Sequence, residues 1–273
     1  MSSNQNETSG YGEVNGTRLW YEMTGQGHAV VLIHAGICDS RMWDREWQRW
    51  PQRYTVIRYD VRGFGASENP NGTFAHYADL HALLTSLGVT RTYLVAVSMA
   101  GGIALEYTVE HPDMVDGLVL VAAGHDDAER SAELREAWKR VDAAFEAGDI
   151  AAANEIELQL WVDGPQRTPD AVDPAVRELV REMNRNNFTL ANDEAVEVDL
   201  DPSVYTRLNE ITAPTLIITG DLDQPHVVAS ADLLQAAIPG AQKVVMHGTA
   251  HLPSMEQPAQ FDQIVFTFFD GLQ

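Results

Sequence analysis

The chain has 273 residues and a mass of 30.1 kDa, with 45% hydrophobic and 21% charged residues, as in a globular protein of one large domain or one domain with an insertion. Its net charge of −22 leaves too little Lys and Arg to track a phosphate backbone or an anionic bilayer, so neither nucleic acid nor membrane is expected as a partner. The single cysteine, Cys38, excludes an internal disulfide and a cysteine-rich metal site. The opening "MSSNQNETSG" (1–10) has no basic or apolar run of a secretory signal. It reads as a disordered tail, with cytoplasm as the expected compartment.

Strand and helix signals then alternate. "TRLWYEM" (17–23) alternates in strand fashion, and "AVVLIH" (29–34) is an unbroken apolar run, as in a strand buried on both faces. Strands are likewise expected at 54–60, 93–97 and 115–123, with helices near 40–49, 76–87 and 99–111. After residue 210 the pattern resumes with strands at 214–220 and 243–247 and helices near 227–237 and 258–270. This order predicts an α/β chain with a mostly parallel central sheet and helices on both faces.

The middle differs. Residues 126–210 hold no buried-strand run but three helical pieces, near 126–147, 149–162 and 172–190. They carry 21 Asp and Glu against 9 Lys and Arg. We read 11–125 and 211–273 as one core and 126–210 as a helical cap inserted over it.

"YLVAVSMAGG" (93–102) is the chemically informative stretch. A buried strand stops at Ser98 and a helix starts, at the strand end where open parallel sheets hold their ligands. Ala96 and Ala100 let the two elements approach closely, and the Met99 N–H opens a helix, poised toward developing negative charge.

Here the sequence resembles the α/β-hydrolase superfamily, whose nucleophile elbow reads G-x-S-x-G and whose triad runs Ser, Asp or Glu, His. Both elbow glycines are alanine in this chain. "HAGICDSRMWD" (34–44) stands where the family carries its oxyanion loop, with Gly36 at the donating position and Ile37 beside it. "DVRGFGAS" (60–67) matches a structural loop braced by Asp60 and Arg62. "GDLD" (220–223) stands where the family places its acid, and "HGTAHLPSMEQP" (247–258) matches the ending that carries the base. The resemblance covers nearly the whole chain outside the insertion. It implies Ser98 as nucleophile, Asp223 as acid, His251 as base, and the N–H groups of Gly36 and Met99 as oxyanion donors. No cofactor and no metal are implied.

Rivals stay in view. Asp221 is closer to the strand end and suits a turn cap, while Asp126 or Asp127 is the alternative acid after "VLVAAGH". Cys38 is more often a small buried hydrophobe. His247 and His251 have i, i+4 spacing, but Gly248 and Pro253 argue for a loop rather than a zinc-binding helix. His76 and His81 are not expected to face one site. Trp138, Phe145 and Trp161 of the cap, with Ile37 and Leu252, are the candidates for lining the pocket, although the aromatics could equally pack the cap onto the core.

The implied chemistry is covalent acyl transfer to water. "GICDSRMWD" is similar to the matching loop of 3-oxoadipate enol-lactonases, which favours a carboxylic ester or lactone as substrate, and a hydrophobic cap would suit bulky apolar esters or macrocyclic lactones. The strongly acidic cap would suit a cationic substrate. Alternatives are a ligand receptor on the same fold, a cofactor-free perhydrolase and a C–C bond hydrolase. Homo-oligomerisation is left open.

Overall fold

The computed structural model describes residues 7–69, 72–190 and 195–272. An antiparallel hairpin opens the fold, β1 (Thr8–Val14) on β2 (Thr17–Gly25). Its turn is Asn15-Gly16, with φ of 46° and 75°, the tight-turn geometry whose twist matches paired strands. Residues 8–10, assigned above to a tail, are instead rungs of β1 opposite Tyr21, Glu22 and Met23. The polar composition masked this, because an edge strand needs only backbone pairing. The rest of that proposed tail, residues 1–6, lies outside the described residues.

The sheet continues with β3 (Ala29–Ile33) and β4 (Thr55–Tyr59). After a short β5 (Thr73–Phe74) come β6 (Thr92–Val97) and β7 (Val115–Val121). A short β8 (Val196–Glu197) precedes β9 (Thr215–Gly220) and β10 (Gln242–Met246). Eight strands form one sheet in the order β1-β2-β4-β3-β6-β7-β9-β10. Only the β1–β2 and β2–β4 pairs are antiparallel. β5 and β8 form a separate two-stranded ribbon, which pairs Val196–Glu197 of the inserted segment with Thr73–Phe74.

Period-two patterning sorts the central strands into two cores. Val31, Ile33, Leu94, Ala96, Leu118 and Leu120 face α2 (His76–Ser86), α3 (Met99–Glu110) and α7 (Pro225–Ala237). Val30, Leu32, Val95, Val97, Val119 and Val121 face α1 (Asp44–Arg49) and α9 (Pro258–Asp270), the latter preceded by the short α8 (Pro253–Glu256). Between β7 and β9 lie α4 (Ala132–Glu146), α5 (Ile150–Glu157) and α6 (Pro174–Leu190). Leu158, Val162, Val180 and Met183 from this segment join the second core. No helix among the described residues is long and apolar enough to cross a membrane.

The second core contains a titrating group. Glu46 on α1 is 1% exposed, its Oε1 has no hydrogen-bond partner among the described residues, and burial, reinforced by Asp262, pushes its carboxyl up to about 8. A carboxyl raised in the folded state contributes full stability below its unfolded value near 4.5 and loses it as pH rises through 8. The difference approaches roughly 5 kcal/mol. Glu46→Gln removes the charge, so urea unfolding of the variant at pH 5 and pH 9 is expected to show a pH dependence flatter by several kcal/mol.

Candidate active site

Ser98 sits at the end of β6 with φ 58° and ψ −117°, a conformation that strains a non-glycine residue by about 1–3 kcal/mol. Two backbone bonds hold it there. Its N–H donates to Val121 O at 2.8 Å, and its carbonyl accepts from Gly101 N at 2.8 Å. The alanine-flanked junction therefore makes the sharp turn. Room for it comes from Gly101, where an added Cβ would stand 2.5 Å from Ala123 Cβ. Gly101→Ala is expected to lower stability by about 1–3 kcal/mol. It should also cut kcat by about 10²-fold, because α3 and Ser98 must shift together. Urea unfolding and steady-state kinetics check both effects.

Three side chains converge on this point. Ser98 Oγ lies 2.7 Å from His251 Nε2, and His251 Nδ1 lies 2.8 Å from Asp223 Oδ2. Asp223 Oδ1 accepts from Gln224 N at 2.7 Å. The Asp223 and His251 side chains are 0% and 4% exposed, so their contact is shielded from water. The loops that carry Asp223 and His251 are locked together. Leu222 N donates to Thr249 O at 3.0 Å, Ala250 N donates to Glu256 Oε1 at 2.8 Å, and Arg167 pairs with Glu256. An added Cβ at Gly220 would lie 2.3 Å from the carbonyl oxygens of Thr249 and Ala250, so only glycine fits where β9 meets the base loop.

The rival acids go elsewhere. Asp221 accepts from Gly248 N at 2.7 Å and pairs with His247 at 2.8 Å, a contact that holds its carboxyl below the ordinary range. Asp127 N donates to His125, and Asp126 lines a neighbouring cavity. His247 and His251 thus serve different carboxylates. His76 approaches Glu197 at 3.6 Å and His81 stacks on His111. Cys38 is buried, and burial pushes its thiol well above the ordinary value.

The loop after β3 lies against the elbow. A Cβ on Gly36 would touch Met99 Sδ and Cβ at 3.5 and 3.6 Å, so Gly36 lies against the Met99 side chain. The Met99 N–H opens α3 and has no acceptor inside the helix. His34 braces this loop: its Nε2 accepts from Val61 N at 3.0 Å, which leaves Nδ1 to donate to Ala35 O at 2.9 Å. Asp60 accepts from Ser40 N and Ala66 N, both at 2.7 Å, and Arg62 pairs with buried Asp79 at 2.7 Å.

A cavity of about 170 Å³ opens above Ser98, lined in part by Ala122, Gly124, Trp161, Tyr205, His226 and His251. Of the five expected lining residues, Trp161 is present, its ring 4.6 Å from the His251 ring. It stands on a π-helical turn, Leu158–Asp163, that extends α5; Gln224 Nε2 ties this turn to the acid loop through Leu160 O at 2.8 Å. Trp138 and Phe145 do not line the cavity. The buried stripe of α4 is Leu134, Ala137 and Val141, so Trp138 faces Arg130, while Phe145 packs on Phe188. Ile37 and Leu252 are drawn into the second core instead. Sequence reasoning missed Tyr205 and His226. For His226 a signal existed: it lies three residues after Asp223, in the first turn of the following helix.

A family model for the alpha/beta hydrolase fold matches residues 28–258. An uncharacterised protein of Mycobacterium tuberculosis is 28% identical, covering 94% of this chain and 80% of its own length. Among solved structures, an N-acyl homoserine lactone degrading enzyme is similar with a TM-score of 0.77 and 25% identity, over 95% of this chain and 100% of that one. The enol-lactonase from Burkholderia xenovorans LB400 has a TM-score of 0.78 and 23% identity, over 96% and 100%.

Proposed function

Because the chain belongs to the alpha/beta hydrolase fold family, we propose that it is a serine hydrolase that cleaves a small carboxylic ester or lactone through an acyl-enzyme on Ser98. The observation that carries this reading is the unbroken Ser98–His251–Asp223 contact at 2.7 and 2.8 Å. His251 Nε2 takes the Ser98 proton as Oγ bonds to the substrate carbonyl carbon. Asp223 accepts from Nδ1–H, fixes the tautomer and stabilises the imidazolium. The N–H groups of Gly36 and Met99 hold the oxyanion. His251 then protonates the departing alkoxide. In the second half, water gives its proton to His251 and attacks the acyl carbon, and the proton returns to Ser98 as the acid leaves. The similarity to a lactone-degrading enzyme at 25% identity supports the lactone half of this reading.

A panel of p-nitrophenyl esters and γ- and δ-lactones tests it. The expected result is sustained turnover on at least one class, with a p-nitrophenol burst of one equivalent where deacylation is slower. A burst with no subsequent turnover would favour the receptor reading, and no reaction with any member would overturn the proposal.

A further inference from the structure

Two side chains in the cavity above Ser98 play no part in the triad and make no side-chain hydrogen bond among the described residues. His226 is 9% exposed and lines the cavity. Among the described residues, neither of its ring nitrogens has a partner; its ring lies edge-to-face with Trp161 at 6.2 Å between centroids, and Asp223, Arg130 and His251 are the charged or titratable groups near it. The Tyr205 hydroxyl likewise has no partner among them. It projects to within 3.9 Å of where a Cβ on Gly102 would stand, and its ring is held by His125 at 4.9 Å. Tyr205 is half-buried, and the polar atoms of both residues face the cavity rather than being sealed in the core, so both are free to bond a ligand there. Two such groups lining one small cavity beside a reactive serine have the pattern of a ligand site: apolar walls with a few aimed polar atoms.

We infer that His226 and the Tyr205 hydroxyl form a polar subsite that hydrogen-bonds a neutral hydroxyl or amide group carried by the substrate. This inference rests on the hydrolase reading above. The neutral class follows from the surroundings. Burial lowers the His226 pKa despite Asp223 nearby, so the ring enters the cavity as uncharged imidazole, one nitrogen donating and one accepting. Burial likewise raises the Tyr205 phenol to about 12, which keeps it a donor. Past Met99, Gly102 and Tyr205 lies a second compartment of about 210 Å³, lined by Glu106, Asp126, Glu197 and Asp199. These carboxylates oppose a substrate carboxylate. A hydroxyl or amide can both give to and take from a neutral imidazole and meets no such repulsion.

The test uses two isosteric ester pairs. On the acyl side, p-nitrophenyl 3-hydroxybutyrate is compared with p-nitrophenyl 3-methylbutyrate; on the alcohol side, 2-hydroxyethyl butyrate with propyl butyrate. Wild type is expected to prefer the hydroxylated member of one pair by kcat/KM. His226→Phe and Tyr205→Phe should each reduce that preference by about 10-fold, the worth of one hydrogen bond. His226→Gln, which can still donate and accept, should restore part of it. Tyr205→Phe deletes one oxygen only, so it guards against a folding defect in the histidine variant. A wild type with no preference in either pair, or variants that slow both members equally, would overturn the inference. Labelling of Ser98 by a fluorophosphonate separates the two failures. If the label forms while the preference is absent, only the subsite is wrong; if no label forms, the hydrolase reading falls and the subsite with it.

Discussion

Ser98→Ala is expected to lower kcat on the best ester substrate by about 10⁴–10⁶-fold, with Tm held within about 3 °C of wild type. The size follows from the geometry. Ser98 Oγ, at the junction of β6 and α3, is hydrogen-bonded to His251 Nε2 at 2.7 Å. Without it the imidazole has no proton to take and the carbonyl has no attacking atom. What survives is the contribution of binding and of the two backbone donors. His251→Ala should fall by a similar factor, and Ser98→Ala/His251→Ala no further than either alone, since the pair acts as a unit. Steady-state kinetics with thermal denaturation of each variant checks this. A loss below 10-fold in Ser98→Ala would mean the observed hydrolysis does not pass through this residue.

Asp223→Asn is the second large effect, a fall of about 10⁴-fold in kcat. An amide in that place keeps the shape but can present its NH₂ to Nδ1, which favours the tautomer with its proton on Nε2. That nitrogen can then no longer accept from Ser98. The control is built into the chain. Asp221 is two residues away and also bonds a histidine, but it and His247 are 37% and 82% exposed, and its second oxygen caps Gly248. Asp221→Asn is expected to change kcat by less than about 3-fold and to reduce stability by no more than about 1 kcal/mol, as surface pairs do. If the two variants behave in the opposite sense, the acid has been misassigned.

The sheet was legible because its central strands are apolar on both faces, and only a buried parallel strand needs that composition. The convergence of Ser98, Asp223 and His251 was legible because Ser98 and Asp223 follow buried strands, in "YLVAVS" and "LIITGDLD", while His251 follows the half-buried edge strand in "KVVMHGTAH". The Asn15-Gly16 turn carried an equally plain signal for β1, but the polar residues before it obscured the strand. The walls of the cavity were harder. On α4 a rotation of one residue separates Ala137, which is buried, from Trp138, which is not, and aromatic content does not set that rotation. Trp161 reaches His251 from a π-helical turn, a local change of register with no compositional mark. Tyr205 arrives from a short turn outside any periodic segment, placed by tertiary packing alone.

The proposed chemistry requires Ser98 to be an activated nucleophile. Intact-mass spectrometry after incubation with a fluorophosphonate, on wild type and Ser98→Ala side by side, tests it most directly. The expected result is one adduct on wild type, mapping to the peptide that contains Ser98, and none on the variant. Folded wild-type protein without an adduct, or an adduct that persists in Ser98→Ala, would contradict it.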